Sequence, residues 1–243
     1  MATNLVVVPT FNEIENIESL VDAVFALDVD FDILVVDDSS PDMTAAKVRE
    51  LMEKHPGRLH LEQRKEKSGL GTAYIHGFKW ALARSYYYIF EMDADFSHNP
   101  KDLPKLLEAC KDQGNDLAVG SRYKTGVNVV NWPISRVLLS LGASTYVRLI
   151  TGMRVYDPTA GFVCYHRRVL ERINLDKIQF VGYAFQIEMK YKAHLLDFKI
   201  IEVPVVFTDR VKGESKMSIK IIWEAIFGVI GMKFKSLFKK LEI

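Results

Sequence analysis

The 243-residue chain is poor in cysteine, with only Cys110 and Cys164. Two thiols cannot form the multi-bridge framework that holds small secreted domains together, and no Cys/His spacing of a zinc site is present. The expectation is a reduced, cytoplasmic compartment. Long apolar runs are also missing: nothing supplies the ~20 uninterrupted residues of a membrane-spanning helix. The nearest stretch, Ile221 to Met232, is short and carries Glu224. The chain passes directly into the strand-like Leu5-Val6-Val7-Val8, without a basic region and cleavage site, so no secretory signal is expected. Neither sign of charge is in excess, since 32 Lys+Arg against 31 Asp+Glu leave a net charge of +1. That balance removes the global basic field a nucleic-acid partner would require. Internal repeats and low-complexity linkers are absent.

What is present is ordinary globular composition, 49% hydrophobic and 26% charged, in a length that suits one large α/β domain or two small ones. The first half alternates short apolar runs with helical spacing, the mark of βαβ units and a parallel sheet. Strands are expected at Leu5–Val8, Ile33–Val36, His60–Glu62, Tyr87–Met92 and Leu117–Gly120. Helices are expected at Glu13–Ala26, after Asp42, at Gly71–Ala83 and from Asn99-Pro100 onward. Beyond Ser121 the alternation breaks. Tyr123 to Trp132 reads as a loop and Pro133 as the first turn of a helix. Phe162–Tyr165 and Ile200–Phe207 read as strands, with helices near Val169 and over Phe185–His194.

Chemistry-bearing residues gather at the predicted strand ends, where open parallel sheets bind ligands. Asp93 and Asp95 stand two apart after Tyr87–Met92. Paired carboxylate oxygens there suit Mg²⁺ or Mn²⁺, ions that usually accompany phosphates, although in isolation an acidic turn with a capping role is the better reading. Strand one ends in Pro9-Thr10-Phe11-Asn12-Glu13, offering a ring for a base and a carboxylate for base N–H groups, or simply a turn and a helix start. Val36-Asp37-Asp38 ends strand two. Adjacent carboxylates repel, so one should find a partner, either a ligand hydroxyl or N–H or the turn itself. Arg122 follows Leu117–Gly120, and Arg210 and Lys216 lie in the loop 209–216. Arginine forks phosphate oxygens and lysine acts as a mobile point charge. The stretch Lys67-Ser68-Gly69-Leu70-Gly71-Thr72-Ala73 invites a dinucleotide reading, but Tyr74 stands where the third glycine of G-x-G-x-x-G belongs, and that site is rejected.

In this order Val-Pro-Thr-Phe-Asn-Glu, Val-Val-Asp-Asp-Ser-Ser-Pro-Asp, Lys-Ser-Gly-Leu-Gly-Thr-Ala, Met-Asp-Ala-Asp-Phe-Ser-His and Gly-Ser-Arg-Tyr resemble the inverting nucleotide-sugar glycosyltransferases of family 2. With Asp-Pro-Thr-Ala-Gly-Phe (157–162), Gly-Tyr-Ala-Phe-Gln-Ile-Glu (182–188) and Asp-Arg-Val-Lys-Gly-Glu-Ser-Lys (209–216), the resemblance narrows to dolichol- and polyprenol-phosphate mannose synthases. It spans residues 5 to about 220. It implies a Rossmann-like GT-A fold, a mixed and mostly parallel sheet flanked by helices. It implies that Pro9, Phe11, Glu13, Val36 and Asp38 hold the nucleoside of GDP-mannose. Asp93, Ala94 and Asp95 would hold Mg²⁺ or Mn²⁺ and the diphosphate, and Arg122, Arg210 and Lys216 the phosphates at the reacting centre. Phe11 replaces the family's more frequent Tyr, keeping a stacking face without the phenol. Ser97 stands where some members place a metal-ligating Gln.

The acceptor so implied is a polyprenyl or dolichyl monophosphate. Its second pKa near 6 leaves it largely dianionic at neutral pH, so it needs no general base. Inversion at C1 of α-linked GDP-mannose, giving a β-mannosyl phospholipid and GDP, is the expected outcome. Residues 1–217 are read as the catalytic domain and 218–243 as an amphipathic basic helix. Ile219, Ile222, Trp223, Ile226 and Ile230, then Phe234, Leu237, Phe238 and Leu241, recur at helical spacing among Lys233, Lys235, Lys239 and Lys240. That pattern suits the surface of an anionic membrane, and equally a helix packed on the sheet. Peripheral association with the cytoplasmic face of a membrane is expected, and some relatives use a membrane-anchoring subunit. Three rivals stay open: a family 2 transferase with another donor such as UDP-glucose or with a soluble acceptor, a non-catalytic nucleotide-sugar binding module, and an Asp-x-Asp phosphatase. The last fits poorly, because such enzymes place the pair on their first strand.

Overall fold

The computed structural model describes residues 3–182, 184–209 and 219–238, with backbone alone over 219–225. In chain order the elements are β1 (Asn4–Thr10), α1 (Ile14–Phe25), β2 (Asp32–Asp37), α2 (Thr44–Lys54), β3 (Leu59–Gln63), α3 (Leu70–Leu82) and β4 (Tyr88–Glu91). There follow α4 (Leu103–Lys111), β5 (Leu117–Ser121), β6 (Val129–Val130), α5 (Ile134–Thr151), β7 (Val163–His166) and α6 (Arg167–Arg172). The chain continues through α7 (Ala184–Leu195), β8 (Ile200–Pro204), β9 (Phe207–Thr208) and α8 (Ile219–Leu237). A seven-stranded sheet runs in the order β3-β2-β1-β4-β7-β5-β8, and β6 pairs with β9 in a small second sheet. β7 is antiparallel to both its neighbours, whereas the remaining pairs are parallel.

The continuous apolar runs of β1 and β2 have a physical reason: both faces of the sheet are covered. Val6, Val8, Ile33 and Val35 point into one core layer with Ile17, Val21, Val48 and Leu106. Leu5, Val7, Leu34 and Val36 point into the other, with Tyr74, Phe78, Tyr165 and Phe185. A third, smaller cluster joins α5, α7 and α8 through Val147, Ile187, Tyr191, Val229 and Met232. Tyr146 OH donates to the Ile226 carbonyl at 2.8 Å, and the Tyr191 and Ser236 hydroxyls meet at 2.7 Å, which fixes α8 against this layer.

Two sequence expectations need correction. Ile200–Phe207 is not one strand: Pro204 lacks a donor and ends the ladder of β8, and the chain resumes as β9 in the other sheet. The expected loop 123–132 contains β6, which β9 pairs with. The helix expected at Asn99-Pro100 opens with a 3₁₀ turn, Pro100–Asp102, where the Asn99 side chain accepts from Lys101 N–H at 3.1 Å.

Gly77 is where α3 comes closest to the sheet. A Cβ there would lie 2.4 Å from Val7 Cγ1. Gly77→Ala should therefore destabilise the fold by about 1–3 kcal/mol through overpacking, although alanine favours helix by roughly 1 kcal/mol over glycine. Urea unfolding checks this, and a stabilised variant would show that α3 can retreat from β1.

Candidate active site

The topology explains why the strand-end motifs meet. β1, β2, β4, β5 and β8 all point the same way, so their carboxyl ends share one edge of the sheet. Antiparallel β7 runs back from that edge, so the turn preceding it, 157–162, lies there as well.

At the β1–β2 end, Pro9 pairs with Val36 and Thr10 with Asp37. The two adjacent carboxylates separate their tasks. Buried Asp37 accepts from the Thr10 hydroxyl at 2.9 Å and from Ser40 N–H at 3.0 Å, so it builds the turn. Asp38 is gripped by Arg64 through two bonds of 2.6 and 2.7 Å, and Arg64 also donates to the Thr72 hydroxyl at 2.8 Å. One arginine thus ties the β2 end to the glycine-bearing start of α3. Gly69, at φ +102, brings Val181 O within 3.0 Å of where a Cβ would stand, and Gly71 N–H donates to that carbonyl at 2.8 Å. The ammonium of Lys67 lies 4.1 Å from the centroid of the Phe11 ring. Glu13 accepts from Asn16 Nδ2 at 2.9 Å, and its own N–H donates to Thr44.

At the end of β4, Asp93 and Asp95 are half-buried on either side of buried Ala94. The Tyr74 hydroxyl donates to Asp93 Oδ1 at 3.1 Å, and Ser97 N–H to Asp95 Oδ1 at 3.0 Å. Between them Phe96 adopts φ +59, a left-handed conformation that costs a bulky residue energy and that tends to persist at functional turns. Asp93 N–H donates to His98 Nδ1 at 3.1 Å, while the His98 ring stacks on Phe162 at 4.9 Å. Burial holds the imidazole below its ordinary pKa, so the ring is neutral and can accept. Among the described residues no cluster of three His, Cys, Asp or Glu forms a metal cage. Two carboxylates fit a hard divalent ion that takes its remaining oxygens from phosphate and water, the habit of Mg²⁺. The Ser97 hydroxyl is buried without a hydrogen-bond partner among the described residues, which leaves another hard oxygen beside the pair.

Arg122, at the end of β5, is nine-tenths buried. Its backbone N–H (3.0 Å), Nε (2.7 Å) and Nη2 (2.7 Å) all donate to Asp157, and Nη2 also reaches Thr159 at 2.8 Å. The rings of Tyr123, Trp132 and Phe207 stand 5.3 to 5.5 Å from the guanidinium carbon. Burial acts to raise the Asp157 pKa, but the charge and hydrogen bonds of Arg122 outweigh it and hold the carboxyl below its usual range. Nearby, Arg136 pairs with Asp209 at 2.7 Å and lies 4.0 Å over Trp132. Behind Asp93, Gln186 donates to buried Glu91, and buried Lys190 donates to Gln186 Oε1 (3.1 Å) and to the Ala160 carbonyl (2.7 Å).

The structure thus brings Pro9, Phe11, Glu13, Val36, Asp38, Asp93, Ala94, Asp95 and Arg122 to one edge. Arg210 and Lys216 lie outside the described residues. Sequence reasoning gave no role to Arg64, Tyr74, His98, Asp157 or Lys190. Asp157 and His98 lay inside quoted motifs, which was the available signal; nothing marked Arg64.

Two expectations follow. Asp157→Asn leaves the guanidinium buried without its counter-charge and should cost about 3–5 kcal/mol in urea unfolding; a loss of under about 1 kcal/mol would mean the pair behaves as a solvated one. The neutral His98 ring links stability to pH. Once unfolded it binds a proton below about 6.5, whereas the folded ring resists, so the unfolded state holds more protons there and stability falls as pH drops below that value. Burial lowers His60 and His166 as well. His98→Gln keeps an acceptor for Asp93 N–H and should flatten this slope; an unchanged slope assigns it to the other two.

The chain matches Glycosyl transferase family 2 over residues 5–178. It is 48% identical over 225 residues to a polyprenol monophosphomannose synthase of Mycolicibacterium smegmatis, covering 93% of this chain and 84% of that protein. It is 43% identical over 225 residues to an undecaprenyl-phosphate mannosyltransferase of Micrococcus luteus, covering 93% and 91%. Among solved structures, a mannosyltransferase of Pyrobaculum calidifontis in complex with GDP-Man and Mn²⁺ superposes with a TM-score of 0.61 at 18% identity, over 98% of this chain and 64% of that one. The mostly parallel sheet with helices on both faces is the GT-A type of fold, and the chain belongs to glycosyl transferase family 2.

Proposed function

We propose that the protein transfers mannose from GDP-mannose to a polyprenyl monophosphate with inversion, releasing GDP. The observation that carries this reading is the identity, over more than nine-tenths of the chain, with two enzymes named for mannosyl transfer to such lipids. In this reading Phe11 offers its face to the guanine, and Pro9, Glu13, Val36 and Asp38 surround the nucleoside. Asp93 and Asp95, with Ala94 between them, would hold Mg²⁺ or Mn²⁺ against the diphosphate. Such an ion supplies positive charge where the departing GDP becomes more negative. Tyr74, Ser97 N–H and His98 hold the two carboxylates and their turn in place. The acceptor dianion attacks C1 from the face opposite GDP, so no residue is needed to remove a proton. Arg122, oriented by Asp157, and the cations Arg210 and Lys216 would stabilise phosphate charge through the transition state.

A polyprenyl acceptor resides in a bilayer, so we assign the protein to the cytoplasmic face of a membrane as a peripheral enzyme. No described helix is long and apolar enough to cross a membrane. α5 and α8 instead expose large apolar side chains: Ile134, Leu138, Leu141 and Leu149 on one, Phe227, Ile230, Phe234 and Leu237 on the other. These spacings place one stripe on each helix, a surface suited to the interfacial region of lipid.

Incubation with labelled GDP-mannose, Mg²⁺ or Mn²⁺ and polyprenyl phosphate should move label into the solvent-extractable fraction with β configuration by NMR. Asp95→Ala should lower transfer by about 10²-fold or more. An α-linked product would overturn the inverting mechanism, and label transferred from UDP-glucose but not GDP-mannose would overturn the donor.

A further inference from the structure

A cavity of about 380 Å³ opens at the carboxyl-terminal end of α5, lined by Thr145, Arg148, Leu149, Met153, Arg154 and Tyr156. Its size falls within the range of small-ligand sites. Two of its six lining residues are arginines. Arg58, Arg64, Arg122, Arg136, Arg167 and Arg168 each meet a carboxylate. Arg148 and Arg154, like Arg49, Arg84 and Arg172, have no carboxylate partner among the described residues, and they are the two that line this cavity. The guanidinium of Arg148 lies 4.3 Å from the centroid of the Tyr156 ring, and the Lys124 ammonium 5.2 Å from the same ring. Arg148 Nε is shielded from water yet has no hydrogen-bond partner among the described residues. A shielded, unpartnered donor on a cation that lines a cavity with a second arginine calls for an oxyanion. The partial negative charge of the α5 terminus, which would oppose an anion, is offset by Lys233, whose ammonium donates to the Thr151 carbonyl at 3.3 Å.

The surroundings decide which oxyanion. Leu149, a lining residue, is 79% exposed and belongs to the same helix as Ile134 (73%) and Leu138 (62%). The cavity therefore combines two cations with an exposed leucine of the apolar stripe on α5, which suits a molecule that is charged at one end and greasy at the other. We propose that this cavity receives the phosphodiester headgroup of an anionic phospholipid of the bilayer. None of its lining residues is Arg122, Asp157 or a strand-end carboxylate, and Arg148 lies twelve residues beyond Arg136 on α5, roughly 18 Å along the helix axis. A headgroup held there pins α5 along the membrane plane, with its other end toward the sheet edge that carries Arg122. Tyr156 is the neighbour of Asp157, so the headgroup site and the Arg122 pair share one turn.

The proposal rests on the membrane-surface reading, and the test separates the two. Partition of the full chain onto phosphatidylcholine vesicles is compared with partition onto vesicles of phosphatidylcholine and phosphatidylglycerol. Transfer to a short-chain, water-soluble polyprenyl phosphate is followed in parallel as a check on folding. The wild type should prefer the anionic vesicles. Arg148→Gln/Arg154→Gln should lose roughly 10- to 30-fold of that binding, about 1 kcal/mol for each cation, while keeping short-chain transfer. Lys54→Gln/Lys111→Gln, which removes two exposed charges from helices on the opposite face of the sheet, should change partition little. Inorganic phosphate, matched in ionic strength by chloride, should weaken the anionic preference of the wild type more than that of the arginine variant. Full preference retained by the arginine variant, an equal loss in the lysine variant, or equal sensitivity of wild type and arginine variant to phosphate would each overturn the headgroup site alone. A wild type that transfers to the short-chain acceptor yet binds neither vesicle would overturn the membrane reading and the site with it.

Discussion

The pair of Arg122 with Asp157 is the interaction on which the site edge depends, because every element that reaches this edge late in the chain is tied to it. Glu202 of β8 accepts from the N–H groups of Tyr156 and Asp157 at 2.8 and 2.9 Å. Asp157 in turn collects three donors from Arg122 at the end of β5. β5, β8 and the turn that feeds β7 are therefore one unit held by charge and hydrogen bonds. Removing such ions from water is costly, and the cost is met only when geometry is good and the remaining donors are satisfied. Here the geometry is good, with three bonds of 2.7 to 3.0 Å from Arg122 to Asp157 and a fourth from Nη2 to Thr159. The three aromatic rings around the guanidinium keep the local dielectric low, which strengthens the pair and makes it expensive to break. A cation fixed in advance needs no reorganisation when phosphate charge develops beside it.

A second buried polar group supports the carboxylate turn from behind. Burial drives the Glu91 carboxyl up to about 7 against the pull of Lys190 and Gln186, and burial brings the Lys190 ammonium down to about 8 against the pull of Glu91. Gln186 stands between them as donor to one and acceptor from the other. Lys190 also holds the Ala160 carbonyl, so the strand leading to Asp93, helix α7 and the turn after Asp157 are joined through three side chains. Position, more than hydrophobic contact, is what such a group confers.

Much of this was legible in the sequence. Two-faced burial writes itself as unbroken Val/Ile/Leu runs, which is why β1 and β2 were found within two residues of their ends. The carboxylates and arginines at strand ends were legible because local order alone placed them there. The partner relations were not. Arg64 with Asp38, Tyr74 with Asp93 and Arg122 with Asp157 span 19 to 35 residues and depend on strand order. That order includes the reversed β7, and a four-residue strand between a turn and a helix carries no signal of its direction. Pro204 did signal a break, and the apolar pattern running across it hid the change of sheet.

Lys67 over the ring of Phe11 has a thermodynamic consequence. The aromatic face that would stack a base already has a cationic partner at 4.1 Å. A base settling on Phe11 would exchange one π-contact for another, and the ammonium would have to find a new place. The measured donor affinity is then a difference between two stacked states. It is smaller than the stacking alone by about 0.5–1 kcal/mol, the worth of an exposed cation–π contact. Replacing the aromatic ring would remove both sides of that exchange, and so would understate what the ring contributes to binding.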